Sequence, residues 1–265
     1  MSQRVVILGC GSSGGVPRVG GDWGACDPAN PRNRRRRCSI LVERAGDDDA
    51  TTSVLVDASP DLREQLLATG TTRLDAVLIT HSHADHTHGV DDVRPLVIKM
   101  KRRIDIHMDE PTAEALRARF GYVFETPPGS HYPPLLVDKR LSHGEAVRLA
   151  GPGGDVEAVP FRLNHGDMDA LGFRFGDMAY TPDVIGVPPE SEDYLAGLDL
   201  WIVDALRYTR HPSHFSLSEA LDWIRRMKPR RAVLTNLHTD LDYERLKGEL
   251  PAGVMPAYDG LELTF

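Results

Sequence analysis

Leu74-Asp75-Ala76-Val77-Leu78-Ile79-Thr80-His81-Ser82-His83-Ala84-Asp85-His86-Thr87-His88-Gly89-Val90 is the stretch on which the fold turns. Its first seven residues are a short apolar run with Val and Ile, the composition of a buried strand. Alternate side chains of an extended backbone share a face, so His81 and His83 aim at one spot. A turn at the strand end lets Asp85 and His86 aim at a second spot close by. Imidazole and carboxylate are ligands for zinc, manganese or iron, and a strand end gives them a rigid base. The plainer alternative is a metal-free surface loop rich in histidine. Four donors within six residues, at the mouth of an apolar strand, stand against it.

On the N-terminal side, residues 4–8 form an apolar strand followed by Gly9-Cys10-Gly11-Ser12-Ser13-Gly14-Gly15-Val16-Pro17. The glycines satisfy Gly-x-Gly-x-x-Gly, but a dinucleotide site needs the third glycine to open a helix. Val16-Pro17 and the glycines at 20, 21 and 24 forbid that helix, so the match is a decoy. Arg34 to Arg37 read as a solvated charged face, with an anion contact by one or two of them as the functional option. Strands are predicted over 39–43 and 53–57, joined by an acidic hairpin at Gly46 to Asp49. A helix follows from Asp61, capped by Ser59 with Pro60 at its first position, and Gly70 closes it.

On the C-terminal side, Val90 to Leu96 continues as helix or loop. Ile104 to His107 is a strand, Pro111 to Phe120 an amphipathic helix, and 125–134 a proline-rich loop. His107, His131 and His143 lack ligand-type spacing. Strands are predicted over 156–163, 172–175, 178–181, 200–204 and 232–235, with a helix over 216–227. His165, Asp183 and His238 each follow an apolar strand directly, as the first motif does.

Composition narrows the class. The 265 residues suffice for one large domain, and 41% hydrophobic with 26% charged residues is ordinary for a globular protein. No run approaches a membrane span, and a strand beginning at once leaves no room for a signal peptide. An odd set of three cysteines fits a reducing cytoplasm, so a cytoplasmic location is expected. A net charge of -8 argues against gripping a polyanion, although a local basic patch can hold one phosphate.

With His-x-His-x-Asp-His followed by a lone His165, a lone Asp183 and a final His at strand ends, the chain resembles the metallo-β-lactamase superfamily. Within it, the likeness is greatest to the cyclic phosphate phosphodiesterases of the carbon–phosphorus lyase pathway. The residues that carry it are Gly11 to Pro17, the Arg-rich run before Cys38-Ser39, His86-Thr87-His88-Gly89, Asp91-Asp92-Val93-Arg94 and Asp259-Gly260. The resemblance implies an α/β fold, a four-layer αββα sandwich, as a single domain over 1–265. It implies two divalent metal ions, zinc or manganese with iron an option. His81, His83 and His165 would hold one, Asp85, His86 and His238 the other, and Asp183 would bridge them.

The implied activity is hydrolysis of a small cyclic phosphate, a ribose 1,2-cyclic phosphate or a 2′,3′-cyclic nucleotide. A water activated between the cations attacks phosphorus, Asp85 binds metal and orients that water, and His214 protonates the departing sugar oxygen. Arg94 would anchor a second phosphate, while Asp57 and His88 hold imidazole ligands by hydrogen bonds. His211 is expected to be exposed or to stand behind the ligands.

Two departures stand out. In those families the last ligand directly follows the strand-end threonine, where this chain has Asn236; His238 is the expected ligand, and an asparagine ligand or a weakly held second metal the alternative. Cys26 alone matches a structural zinc cluster found in relatives, so none is expected. Competing readings are an RNA 3′-processing endonuclease, a thioester or lactam hydrolase, and a non-catalytic metal-dependent nucleotide-binding protein. The charge and the lack of a long basic insertion oppose the first, and the His214 motif opposes the other two. The expected partner is a small phosphodiester, with a homodimer as an option and neither membrane nor nucleic acid.

Overall fold

The computed structural model describes residues 3–47 and 50–265, so the acidic tip at Asp48 and Asp49 lies outside the described residues. The first half supplies β1 (Gln3–Gly9), β2 (Ser39–Ala45), β3 (Thr51–Val56), α1 (Leu62–Ala68), β4 (Ala76–Leu78), α2 (Ala84–Thr87), α3 (Arg94–Met100), β5 (Ile104–Met108), α4 (Glu110–Phe124) and β6 (Leu136–Arg140). The second half supplies β7 (Val147–Leu149), β8 (Val156–His165), β9 (Met168–Phe175), β10 (Met178–Thr181), β11 (Leu200–Asp204), α5 (Leu217–Met227), β12 (Arg231–Thr235), α6 (Tyr243–Glu249) and β13 (Val254–Pro256). A last strand, β14 (Glu262–Thr264), returns to the first half and pairs with β1.

The strands form two seven-stranded mixed sheets, ordered β14-β1-β2-β3-β4-β5-β6 and β13-β12-β11-β10-β9-β8-β7. Each sheet is part antiparallel and part parallel, with β3 to β6 parallel in one and β10 to β13 parallel in the other. Alternation of side chains sorts the core into layers. In β1, Val5 and Ile7 face the opposite sheet, where they pack with residues such as Phe173, Tyr180 and Ile202. Val6 and Leu8 face outward and lie under Leu62, Leu66 and Val97 of the first helical layer. On the other outer surface, Trp201, Val203 and Leu234 lie under Ala220, Ile224 and Leu246. Burying each large aliphatic or aromatic side chain contributes about 1.5–3 kcal/mol before entropy is counted. The result is the αββα sandwich expected from the sequence.

Most boundaries agree with the sequence reading, and the exceptions are instructive. The helix expected from Asp61 starts at Leu62, with Pro60 in the preceding turn; Ser59 Oγ accepts from the Asp61 amide at 3.1 Å and donates to Gln65 at 2.9 Å. Strands β6, β7, β13 and β14 have no counterpart in that reading. They are the four sheet edges, and three are only three residues long. An edge strand is half solvated and too short to display a period, so its pattern is weak.

Candidate metal centre

The C-terminal ends of the parallel strands point to one end of the sandwich, and the loops there carry the polar side chains. Asp57 follows β3, His81 follows β4, Asp183 follows β10, Asp204 ends β11, and Asn236 follows β12. His165 ends β8 at its turn into β9. The two halves are laced together at this end by Leu171 N–H donating to Thr80 O (2.8 Å) and Leu237 N–H donating to Cys10 O (2.8 Å).

Beyond β4 the chain runs extended through His83 (φ -62°, ψ 153°) and then turns into the four-residue α2 with Asp85 and His86. This short helix is strapped to the loop after β3: Ala58 N–H donates to His86 O (2.8 Å) and Gly89 N–H to Ala58 O (2.9 Å). A Cβ on Gly89 would sit 1.9 Å from Ser59 O, so only glycine permits that approach.

One ligand atom from each of His81, His83, His165 and Asp183 lies within 4.8 Å of the others. His81 Nε2 is 3.0 Å from His83 Nδ1, which is 3.3 Å from His165 Nε2. Asp183 Oδ2 is 3.5 Å from His165 Nε2 and 3.8 Å from His81 Nε2. Ligands on a tetrahedral zinc, each 2.0–2.1 Å from it, stand about 3.3 Å apart, so the spacing fits one ion. The far ring nitrogens are already spoken for: His165 Nδ1 donates to Ser213 O (2.8 Å), and His81 Nδ1 meets Thr80 Oγ1 (2.9 Å). Burial holds His81 well below the ordinary imidazole range and also lowers His165, leaving neutral rings with lone pairs for a cation.

A second donor set shares Asp183. His86 Nε2 lies 3.3 Å from Asp183 Oδ1 and 3.5 Å from Asp85 Oδ2. Its Nδ1 is bonded to Asp57 Oδ2 at 2.7 Å, and Asp57 also accepts the Thr80 amide at 2.8 Å. Burial would lower the His86 pKa, but Asp183, Asp57 and Asp85 together raise it well above the ordinary value. Three carboxylates around one imidazole make an anionic pocket suited to a divalent cation.

Asn236, rather than His238, reaches this set. Its Nδ2 donates to Pro182 O (3.0 Å) and lies 3.3 Å from Asp183 Oδ1. Its backbone is left-handed (φ 61°), as is that of Asp57 (φ 66°), a conformation that aims each side chain inward from its strand end. His238 has both ring nitrogens engaged elsewhere: Nδ1 bonds Asp240 at 2.9 Å, and Nε2 accepts from Arg18. The expected ligand is therefore committed to Asp240 on its own loop and to Arg18 of the N-terminal loop.

His214 sits against the cluster, its Nε2 3.8 Å from Asp183 Oδ2 and its Nδ1 bonded to buried Asp204 at 2.9 Å. Burial opposes protonation of His214, but the Asp204 carboxylate outweighs it and lifts the imidazole to about 9. Burial raises Asp204 itself to about 7 despite His214. Sequence reasoning missed Asp204, although a carboxylate closing an apolar strand was the same signal that pointed to Asp57. The His211 ring stands 5.1 Å from that of His214.

Other expected residues lie apart from this cluster. Arg94 pairs with Asp91 and lines a cavity with Tyr122, Ser130 and Tyr132 that includes none of the four cluster residues. His88 is exposed and its ring packs edge-on against Phe120 rather than behind a ligand. In the arginine run, Arg35 is buried and donates to Leu241 O (2.6 Å) and His238 O (3.2 Å). Arg36 pairs with Asp259 and Arg37 with Asp61, each at 3.0 Å, so most of the run braces loops. All three cysteines are free and buried.

Comparison with known proteins now decides the family. The profile of the Beta-lactamase superfamily domain matches residues 52–236, which hold every residue of both donor sets. The chain belongs to this superfamily. A solved structure described as a new diphosphatase from the PhnP family is 35% identical, with a TM-score of 0.88 over 100% of this chain and 98% of that one. Zinc-bound PqqB from Methylobacterium extorquens, at 20% identity and a TM-score of 0.75 over 98% of this chain and 99% of that one, shares the superfamily fold. An octanoyltransferase of Porphyromonas gingivalis is 35% identical over 98% of this chain and 51% of its own length. The chain thus spans about half the length of the first curated relatives it matches. Among the described residues, no helix is long and apolar enough to cross a membrane.

Proposed function

We propose that this chain is a divalent-metal hydrolase of phosphodiesters, with small cyclic phosphates, a ribose 1,2-cyclic phosphate or a 2′,3′-cyclic nucleotide, as its substrates. The observation that carries this reading is His214, a half-buried imidazole held by Asp204 at 2.9 Å and standing 3.8 Å from the cluster carboxylate of Asp183. Opening a cyclic diester expels an alkoxide, a poor leaving group that needs a proton, and His214 would be its donor. Its raised pKa keeps the ring charged at neutral pH while Asp204 holds Nδ1, which leaves the Nε2 proton on the side of Asp183 and the metal cluster.

His81, His83, His165 and Asp183 would hold one ion, and Asp85, His86 and Asp183 a second. Bound there, zinc or manganese supplies Lewis acidity toward phosphoryl oxygens and a water of lowered pKa. Asp85, half-buried beside His86, accepts a proton or hydrogen bond from the attacking water and so orients it. Asp57 and the Ser213 carbonyl fix the ring planes of His86 and His165, which keeps the donors in place without substrate. The net charge of -8 favours a small anionic substrate over an RNA.

A second reading, cleavage of a diphosphate, is favoured by the described activity of the 35% identical diphosphatase. A phosphate leaving group departs without a proton, so that reaction would depend little on His214. One panel separates the readings: ribose cyclic phosphate, 2′,3′-cyclic nucleotides, a nucleoside diphosphate, a precursor tRNA and a glutathione thioester, each with manganese or zinc. Turnover of the cyclic phosphates is expected. Turnover of the thioester alone would overturn the substrate class, and turnover of the diphosphate alone would select the second reading.

A further inference from the structure

The two donor sets differ in kind. The first brings three imidazole nitrogens and one carboxylate oxygen, a full tetrahedral complement for a zinc-class ion. The second brings one imidazole, from His86, and the carboxylate oxygens of Asp85 and Asp183. Beside Asp183, Asn236 presents Nδ2, which also stands 3.1 Å from His214 Nδ1, and an amide NH2 has no lone pair to give a cation. The Pro182 carbonyl, 3.0 Å away, can only accept, and with Asp183 Oδ1 at 3.3 Å it favours that orientation. Turning the amide over would set its oxygen against two acceptors, the Pro182 carbonyl and the Asp183 carboxylate, in exchange for one N–H, that of His214 Nδ1 at 3.1 Å. Asn236 is 3% exposed, which leaves its side chain no room to swing clear.

We infer that the centre is asymmetric, with a resident ion in the first set and an exchangeable ion in the second that is completed by an oxygen of a bound phosphate group. The choice of phosphate rests on the phosphodiesterase reading; the asymmetry rests on the donors alone. An oxygen-rich, open position suits a harder ion such as manganese, while the imidazole-rich position suits zinc. Because the phosphate supplies the missing donor, second-ion binding and phosphate binding strengthen one another by the same factor. The free protein then carries one ion, and the second arrives with the anion.

The test counts metal rather than turnover. Protein loaded with zinc and manganese is dialysed and its metal measured by mass spectrometry; one equivalent of zinc and no manganese should remain. Manganese is then titrated into the one-zinc protein with free manganese followed by electron paramagnetic resonance, in chloride and in inorganic phosphate. Phosphate should lower the midpoint by at least about fivefold, the lower end of ordinary coupling. Asn236→His should retain two ions through dialysis and lose the phosphate dependence. Asn236→Asp, which adds an oxygen donor, should shift in the same direction and serves if the histidine variant does not fold. Two ions retained by the unaltered protein, or a manganese midpoint indifferent to phosphate, would overturn the inference. Tightening by phosphate in a protein that ignores every cyclic phosphate would leave the asymmetric centre standing and remove the substrate reading.

Discussion

The two sheets contribute to the centre in opposite ways. The first delivers His81, His83, Asp85 and His86 from one six-residue stretch, with Asp57 behind them. The second delivers His165, Asp183, Asp204, His214 and Asn236 from five separate segments, none a motif by itself. The compact contribution is set by local backbone geometry: an extended step, then one helical turn. The dispersed contribution exists only because β8, β10, β11 and β12 end at the same level of the second sheet. A local motif tolerates no insertion yet declares itself, while a dispersed set hides in any single segment and depends on register.

The comparison breaks most directly at the shared ion. His83→Ala from the compact side and His165→Ala from the dispersed side should each abolish retained zinc and bring activity to background. A His165→Ala protein that keeps its zinc at wild-type affinity would remove His165 from the ligand set and leave Asp183 as the second sheet's link to that ion. Next comes the proton donor of the dispersed side. His214→Ala should lower kcat for a cyclic phosphate by about 10²–10⁴-fold, with metal content unchanged; loss of metal would reassign His214 as a ligand. The raised pKa gives the sign of its pH dependence: the acid form is present below about 9, so kcat/KM should fall as pH rises through that value. Asp204→Asn removes the charge that raises it, and the alkaline limb should move toward lower pH.

A smaller effect is expected behind the compact motif. Asp57→Asn keeps a hydrogen-bonding group but loses the carboxylate that orients His86, and should weaken metal binding by roughly 10–100-fold, measurable by competition with a chelator. The smallest effect belongs to His238, whose ring is committed to Asp240 and Arg18. His238→Ala should leave metal content intact and cost no more than about 1 kcal/mol in denaturant unfolding, as partly exposed pairs do. A drop in bound metal there would restore His238 to the ligand set.

Those predictions also mark where the sequence could be read and where it could not. The strand ending in His81, the apolar strands before His165 and Asp183, and the helix after Ser216 all announce themselves, because burial imposes a pattern on every residue involved. Edge strands such as β6 and β14 do not, since half of each faces water. Asn236 against His238 is a choice of one loop conformation over another, and it turns on a left-handed backbone at φ 61° that residue types two positions apart do not reveal. Asp204 is similar: an aspartate at a strand end is visible, but the imidazole it holds comes from a loop ten residues on.

The amino-acid sequence by itself determined most of the strands and helices, the compact histidine–aspartate cradle and the class of ligand chemistry, because periodic burial and short-range spacing are properties of the chain. The layered sandwich was implied by the family resemblance that the cradle carries. Only the tertiary structure decided which side chain after β12 reaches Asp183, that Asp204 charges His214, and that Arg35, Arg36 and Arg37 each bind a partner on another loop. Those outcomes depend on distances between segments far apart in the chain, and such distances are set by how two sheets pack rather than by any local stretch.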